Sequence, residues 1–75
     1  MTKEQLMQRA IDLAVANVAN GGGPFGAVIV RNGEIVAEGV NRVTSQHDPT
    51  AHAEVQAIRK ACQELQTFDL EGCDI

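Results

Sequence analysis

The sequence predicts an α/β fold, and three observations support this prediction. Two segments with helical periodicity flank a pair of apolar runs, and Asn32-Gly33 between the runs is typical of a tight hairpin turn. The first run, residues 25–31, is continuously apolar, as is typical of a central strand covered on both faces. Because two strands alone are not stable in water, we expect a larger sheet, with a third strand that opens at Cys73.

The first predicted helix covers residues 2–20. Thr2 and Gln5 have the spacing of a capping box, which marks a helix start. Three glycines followed by Pro24 end the helix, because this sequence cannot continue helical geometry. The apolar stripe is wide, as expected for a helix that packs on a sheet. It consists of Leu6, Ala10, Leu13 and Ala14, widened by Met7, Ile11 and Val18.

The second predicted strand covers residues 34–40, and a polar loop follows over residues 41–50. Asp48 and Pro49 have the pattern of a helix start, with Asp48 as the cap and Pro49 in the first helical position. The second helix is predicted to continue to about Gln66. Its predicted apolar face consists of Val55, Ile58, Ala61, Cys62 and Leu65. We expect the strand that follows this crossover to run parallel to an earlier strand.

Length and charge exclude several classes of function. The chain has 75 residues, enough for one small domain that buries roughly 60% of its surface. Its net charge is −4 with no basic patch, which argues against nucleic acid as a partner. No apolar run approaches 18 residues, so we expect no membrane span, and we expect no signal peptide. Two cysteines are too few for a disulfide scaffold, which favours a cytoplasmic protein.

His52 and Glu54 are the residues best suited to chemistry. On an ideal helix they point about 200° apart, so they share one volume only beyond the helix N-terminus. That position offers free backbone N–H groups and the positive end of the helix dipole. A histidine there can bind a metal, and a glutamate can act as a base. The structural alternative is a surface or core histidine, since a His-x-Glu pair arises by chance in about one such chain in ten.

Three segments resemble the cytidine-deaminase-like zinc deaminases: residues 23–28 (GPFGAV), Asn41, and residues 52–55 (HAEV). Within this superfamily, residues 22–27 and 48–54 look most like the bacterial guanine deaminases, and tRNA adenosine deaminases share much of the second stretch. The resemblance implies an α/β/α sandwich with a mixed sheet. It also implies that residues 1–75 are the N-terminal part of a single deaminase domain whose second half is absent.

The resemblance implies a role for each of five residues. His52 resembles the histidine ligand of the zinc ion, and Glu54 resembles the general acid/base of the reaction. Asn41 resembles the asparagine that forms a hydrogen bond with the base. The backbone N–H of Ala53 is expected to contact the substrate, and Phe25 is expected to line the base pocket.

The implied function is zinc-dependent hydrolytic deamination of a purine base, most simply guanine to xanthine and ammonia, by a homodimer. Two alternatives stay open: a tRNA adenosine or a cytosine or nucleoside deaminase of the same superfamily, and a non-catalytic interaction fragment. The chain departs from the family pattern because it has no Pro-Cys-x-x-Cys motif. We expect the two missing cysteine ligands downstream of Ile75, so the 75-residue chain alone is expected to be inactive. Cys62 and Cys73 are expected to be small buried hydrophobic residues.

Overall fold

The computed structural model describes residues 1–75, which form two helices and a three-stranded sheet. Its elements are α1 (Lys3–Ala19), β1 (Gly26–Arg31), β2 (Glu34–Val40), α2 (Ala53–Leu65) and β3 (Cys73–Asp74). The strand order is β2-β1-β3, so β1 is central, as its apolar sequence predicts. Three consecutive β1 residues, Val28, Ile29 and Val30, are each less than a tenth exposed.

The two helices cover opposite faces of the sheet. A Cβ added at Gly26 would lie 2.5 Å from the carbonyl oxygen of Ala10 in α1, and one at Gly39 would overlap the backbone of α2. Gly39 is paired with Ala27, the neighbour of Gly26, and adjacent strand residues point to opposite faces. The chain is therefore a three-layer α/β/α unit.

The face that α2 packs on the sheet is narrower than predicted. Ala53, Ala57 and Ala61 are its buried residues, whereas Ile58 is 39% exposed. Of the predicted face, only Ala61 is fully buried; Val55, Cys62 and Leu65 are half-buried. The close approach of α2 to the sheet at Gly39 explains the difference, because it leaves room for methyl groups but not for larger side chains.

The predicted capping box at the start of α1 is confirmed. The hydroxyl of Thr2 accepts a hydrogen bond from the Gln5 N–H (3.1 Å), and the Gln5 side chain accepts one from the Thr2 N–H (2.8 Å). The inner stripe of α1 is half-buried on the sheet. Three residues that we predicted to widen this stripe do not pack on the sheet, because Met7, Ile11 and Val18 are exposed. Neither helix has the length and apolar character needed to cross a membrane.

The hairpin and the third strand agree with the predicted order of elements. Asn32 and Gly33 both have positive φ, as a type I′ turn requires. β3 pairs antiparallel with β1, Val30 opposite Asp74. Because β2 and β3 are both antiparallel to β1, they run parallel to each other with β1 between them, as the crossover predicts. We predicted a mixed sheet, but within residues 1–75 all strand pairing is antiparallel, because β2 and β3 each pair antiparallel with β1.

The start of α2 was predicted wrongly at Asp48-Pro49. The helix begins at Ala53, and His52 is its N-cap residue. The Asp48 carboxylate instead accepts hydrogen bonds from the backbone N–H (2.9 Å) and the hydroxyl (2.7 Å) of Thr50. An Asp that bonds the residue two positions ahead closes a tight turn, which competes with helix initiation and delays it by one turn.

Candidate active site

Three loops meet at one cleft of about 500 Å³ beside the N-terminus of α2. One loop precedes β1, one follows β2, and the third leads into α2. The residues that line the cleft are Gly23, Phe25, Asn41, Val43, Thr44, His52, Ala53 and Glu54. All five residues predicted to form the site therefore lie in one place, although they are spread over thirty positions of the sequence.

His52 and Glu54 share the end of α2, as their spacing predicts. The His52 Nδ1 atom lies 3.6 Å from a carboxylate oxygen of Glu54, and both side chains are 55% exposed. His52 has extended backbone geometry (φ −69°, ψ 158°), and its side chain makes no capping hydrogen bond, so the imidazole stays available for a ligand. The first N–H groups of α2 lack intrahelical acceptors and face the same region.

Burial alternates through this segment and explains why both side chains point outward. Ala51 and Ala53 are buried, at 0% and 2% exposure, whereas His52 and Glu54 are exposed. The extended conformation of His52 gives a repeat of two residues just before the helix. Two alanines thus anchor the backbone in the core, and the two chemical groups are displayed in the cleft.

The turn before α2 is fixed by charge and hydrogen bonds. The Asp48 pKa lies below its usual value because Thr50 donates two hydrogen bonds to the carboxylate and the Arg59 guanidinium lies close by. Arg59 extends from α2, with a nitrogen 3.6 Å from Asp48 and another 3.4 Å from the Thr50 hydroxyl. The backbone of this loop is also joined to the end of β2, because the Arg42 N–H donates to the Ala51 carbonyl (2.8 Å).

Asn41 and Phe25 form the opposite wall of the cleft. The side-chain oxygen of Asn41 accepts a hydrogen bond from the Val43 N–H (3.3 Å), which leaves the amide N–H groups free to donate. The Asn41 N–H itself donates to the Phe25 carbonyl (3.4 Å). The Phe25 ring is 59% exposed, so it offers an apolar face to a flat ligand.

Sequence reasoning missed one residue behind this wall, Asn17. Its side-chain nitrogen donates hydrogen bonds to the carbonyls of Gly23 and Asn41, both at 3.0 Å. The residue is only 4% exposed. A signal was present in the sequence: Asn17 continues the apolar stripe of α1 four residues after Leu13, and a polar residue in an apolar stripe needs a buried partner.

The family model of the cytidine and deoxycytidylate deaminase zinc-binding region matches residues 1–75. The chain belongs to this deaminase family. It is 57% identical to guanine deaminase from Bacillus subtilis over 97% of its own length and 47% of that enzyme. The X-ray structure of that enzyme superposes on 97% of the chain with a TM-score of 0.94, which confirms the predicted fold class.

Two further relatives are described in connection with different purine compounds. A tRNA-specific adenosine deaminase from Aquifex aeolicus is 44% identical over the whole chain and 50% of its own length. A solved structure in complex with 8-azaguanine is 37% identical, with a TM-score of 0.89 over 92% of this chain and 39% of that one. Residues 1–75 thus span about half the length of the relatives they match, or less.

Residues 1–75 do not by themselves form a zinc site. No three side chains of the metal-binding types lie close enough together to hold a metal ion. A catalytic zinc takes three protein ligands, and the cleft offers one imidazole beside one carboxylate. Cys62 and Cys73 are free, and both are half-buried rather than buried. Cys73 packs against the cluster around Ile29, away from the cleft.

Proposed function

We propose that the intact protein hydrolyses guanine to xanthine and ammonia. The supporting observation is that Asn41, His52 and Glu54 meet in one cleft, with an imidazole and a carboxylate 3.6 Å apart. The 57% identity to guanine deaminase supports the choice of base. In this reaction a C–O bond forms between water and the amine-bearing carbon, the C–N bond breaks, and the amine leaves as ammonia.

His52 is proposed as a zinc ligand, together with two cysteines outside residues 1–75. Bound zinc would supply an activated water molecule. The Glu54 carboxylate, 3.6 Å from that imidazole, would accept a proton from the attacking water and pass protons to the ring nitrogen and the leaving amine. The N–H of Ala53 lies in the first turn of α2, where it has no intrahelical acceptor, and it is proposed to donate a hydrogen bond to the substrate.

Asn41 and Phe25 are proposed to orient the base. The Val43 N–H occupies one lone pair of the Asn41 side-chain oxygen and fixes the direction of the amide. Its N–H groups can then donate to an acceptor on the purine edge. The half-exposed Phe25 ring would lie against the face of the base and exclude water from one side of it.

A tRNA adenosine deaminase is the second candidate, favoured by the 44% identity to such an enzyme. The charge pattern argues against it: the chain carries ten acidic and six basic residues, and binding a phosphate backbone needs a concentration of lysine and arginine. A free base carries no phosphate and makes no such demand.

The substrate panel that separates these candidates is guanine, cytosine, cytidine and adenosine in tRNA. We expect the intact, zinc-loaded protein to release ammonia from guanine with a kcat/KM at least about a hundredfold above that for the others, since a site built to bind one base leaves its polar groups unpaired with another. Preferential turnover of tRNA adenosine would overturn the substrate proposal. No turnover of any of the four would favour the non-catalytic alternative.

The homodimer, the cytoplasmic location and the assignment of residues 1–75 to the N-terminal part of a single domain stay predictions. A mass measurement by light scattering on the intact protein decides the first, with a value of twice the chain mass expected.

A further inference from the structure

Asn17 is the most deeply buried polar side chain in the molecule, and it lies at the back of the candidate active site. Its amide has two N–H groups, and each donates to a different backbone carbonyl, one in the loop before β1 (Gly23) and one at the end of β2 (Asn41). Its own backbone carbonyl accepts from the Gly22 N–H at 2.8 Å. One residue of α1 thus joins two of the three loops that form the cleft.

The space around Asn17 is matched to its amide group. A Cβ added at Gly22 would overlap the Asn17 side chain, and the three atoms nearest to it would all belong to that amide. A Cβ added at Gly23 would lie 3.3 Å from the Asn41 side chain. The two glycines therefore allow the loop to lie against both asparagines, and Asn17 determines the separation between the loop and Asn41.

We propose that Asn17 is a positioning residue that sets the orientation of Asn41 toward the substrate base. This inference rests on the proposed function, because it assigns Asn41 to base binding. The Asn41 carbonyl is held by Asn17, and its side-chain oxygen is held by the Val43 N–H. With these two points fixed, and with Gly23 against its side chain, the amide of Asn41 has one direction in which to donate.

Loss of the Asn17 side chain is expected to weaken base binding without a general loss of structure. Without Asn17, the two carbonyls at Gly23 and Asn41 lose their buried donors, and the loop can move away from Asn41. His52 and Glu54 are fixed by other contacts, namely the burial of Ala51 and Ala53 and the turn at Asp48. Zinc binding is therefore expected to persist while base binding weakens.

The test compares Asn17→Ala with Asn20→Ala in the intact, zinc-loaded protein. Asn20 is exposed at the end of the same helix, and its side chain makes no hydrogen bond to the rest of the chain, so it is a matched control. For Asn17→Ala we expect the KM for guanine to rise about tenfold with a kcat change below about threefold, and the zinc content to stay unchanged. Equal kinetics in both variants, or a lower kcat at unchanged KM, would overturn the proposal.

A second variant covers the case in which Asn17→Ala does not fold. Gly22→Ala keeps the asparagine but places a methyl group against its amide, so we expect the same rise in KM. An unchanged KM in folded Gly22→Ala would also overturn the proposal. If the wild-type protein does not deaminate guanine but does deaminate another base of the panel, the proposed substrate fails and the same comparison is made with that base. No turnover of any base would overturn both proposals.

Discussion

At the scale of single residues, the glycine at position 39 decides how close α2 lies to the sheet. Gly39 in β2 has no Cβ, and the carbonyl oxygen of Ala53 and the N–H of Ala57 occupy the space where one would be. This approach brings the first turn of α2 beside the end of β2. It therefore places His52 and Glu54 in the same cleft as Asn41.

The variant Gly39→Ala tests this contact. The added methyl group must push α2 away from the sheet, because both atoms it meets belong to the backbone and cannot rotate away. We expect the free energy of unfolding of the intact protein to fall by about 1–3 kcal/mol in urea titrations. Glu34→Ala, at an exposed β2 position, is the control, with an expected change within about 0.5 kcal/mol. A fully stable Gly39→Ala protein would show that α2 is not held this closely.

At the scale of elements, α1 packs on the sheet and is also joined to β2 by an ion pair. The Arg9 guanidinium contacts both carboxylate oxygens of Glu38, one of them at 2.9 Å. The pKa of Glu38 lies below its usual value because Arg9 donates these hydrogen bonds, and the pKa of Arg9 is raised in turn. A carboxyl group with a lowered pKa in the folded state adds to the free energy of unfolding when the pH is above its unfolded-state pKa. This contribution is lost as the pH falls through the folded-state pKa.

The pH dependence of stability tests this pair. Between pH 6 and pH 3 we expect the free energy of unfolding to fall less steeply in Glu38→Gln than in the wild type, because one carboxyl that must be protonated has been removed. The difference is expected to stay below about 1 kcal/mol, since both side chains are partly exposed. The double variant Arg9→Gln/Glu38→Gln should have nearly the same free energy of unfolding as Glu38→Gln, because both remove the same ion pair. Identical slopes for wild type and Glu38→Gln would refute the coupling.

Local sequence signals predicted most elements well, and they failed where one residue is compatible with two local structures. The capping box at Thr2 and the hairpin turn at Asn32-Gly33 depend on neighbours within four residues, and both are confirmed. The start of α2 was misplaced because the Asp48 side chain can either cap a helix or close a turn, and the sequence alone does not choose between them.

The cleft was predicted through a resemblance, whereas the contacts that shape it were not. The five proposed site residues do line one cleft. The apolar stripe of α1 signals that Asn17 is buried, but it does not give the carbonyls that Asn17 binds, and no local pattern gives the alanine face of α2. Both depend on the distance between elements that are far apart in sequence. A pattern of apolar residues gives the face of a helix but not how close that face comes to its partner.

At the scale of the whole molecule, residues 1–75 supply one proposed zinc ligand and leave the coordination incomplete. No cluster of three metal-binding side chains is present. We expect the isolated 75-residue chain, purified after zinc addition, to hold clearly less than one zinc per chain by atomic absorption, because one imidazole binds the ion weakly. The intact protein should hold about one. Stoichiometric zinc in the monomeric 75-residue chain would contradict this reading of the site.

Glu54 is proposed to move the protons of the reaction, and one comparison tests this role directly. The kcat for guanine is measured in the intact, zinc-loaded protein, in Glu54→Gln, and in Glu64→Gln as an exposed control on the same helix. Glu54→Gln keeps the shape of the side chain but cannot move protons, so we expect its kcat to fall at least about a thousandfold with zinc still bound, and Glu64→Gln to match the wild type. Turnover by Glu54→Gln within about tenfold of the wild type would contradict the proton-transfer role of Glu54.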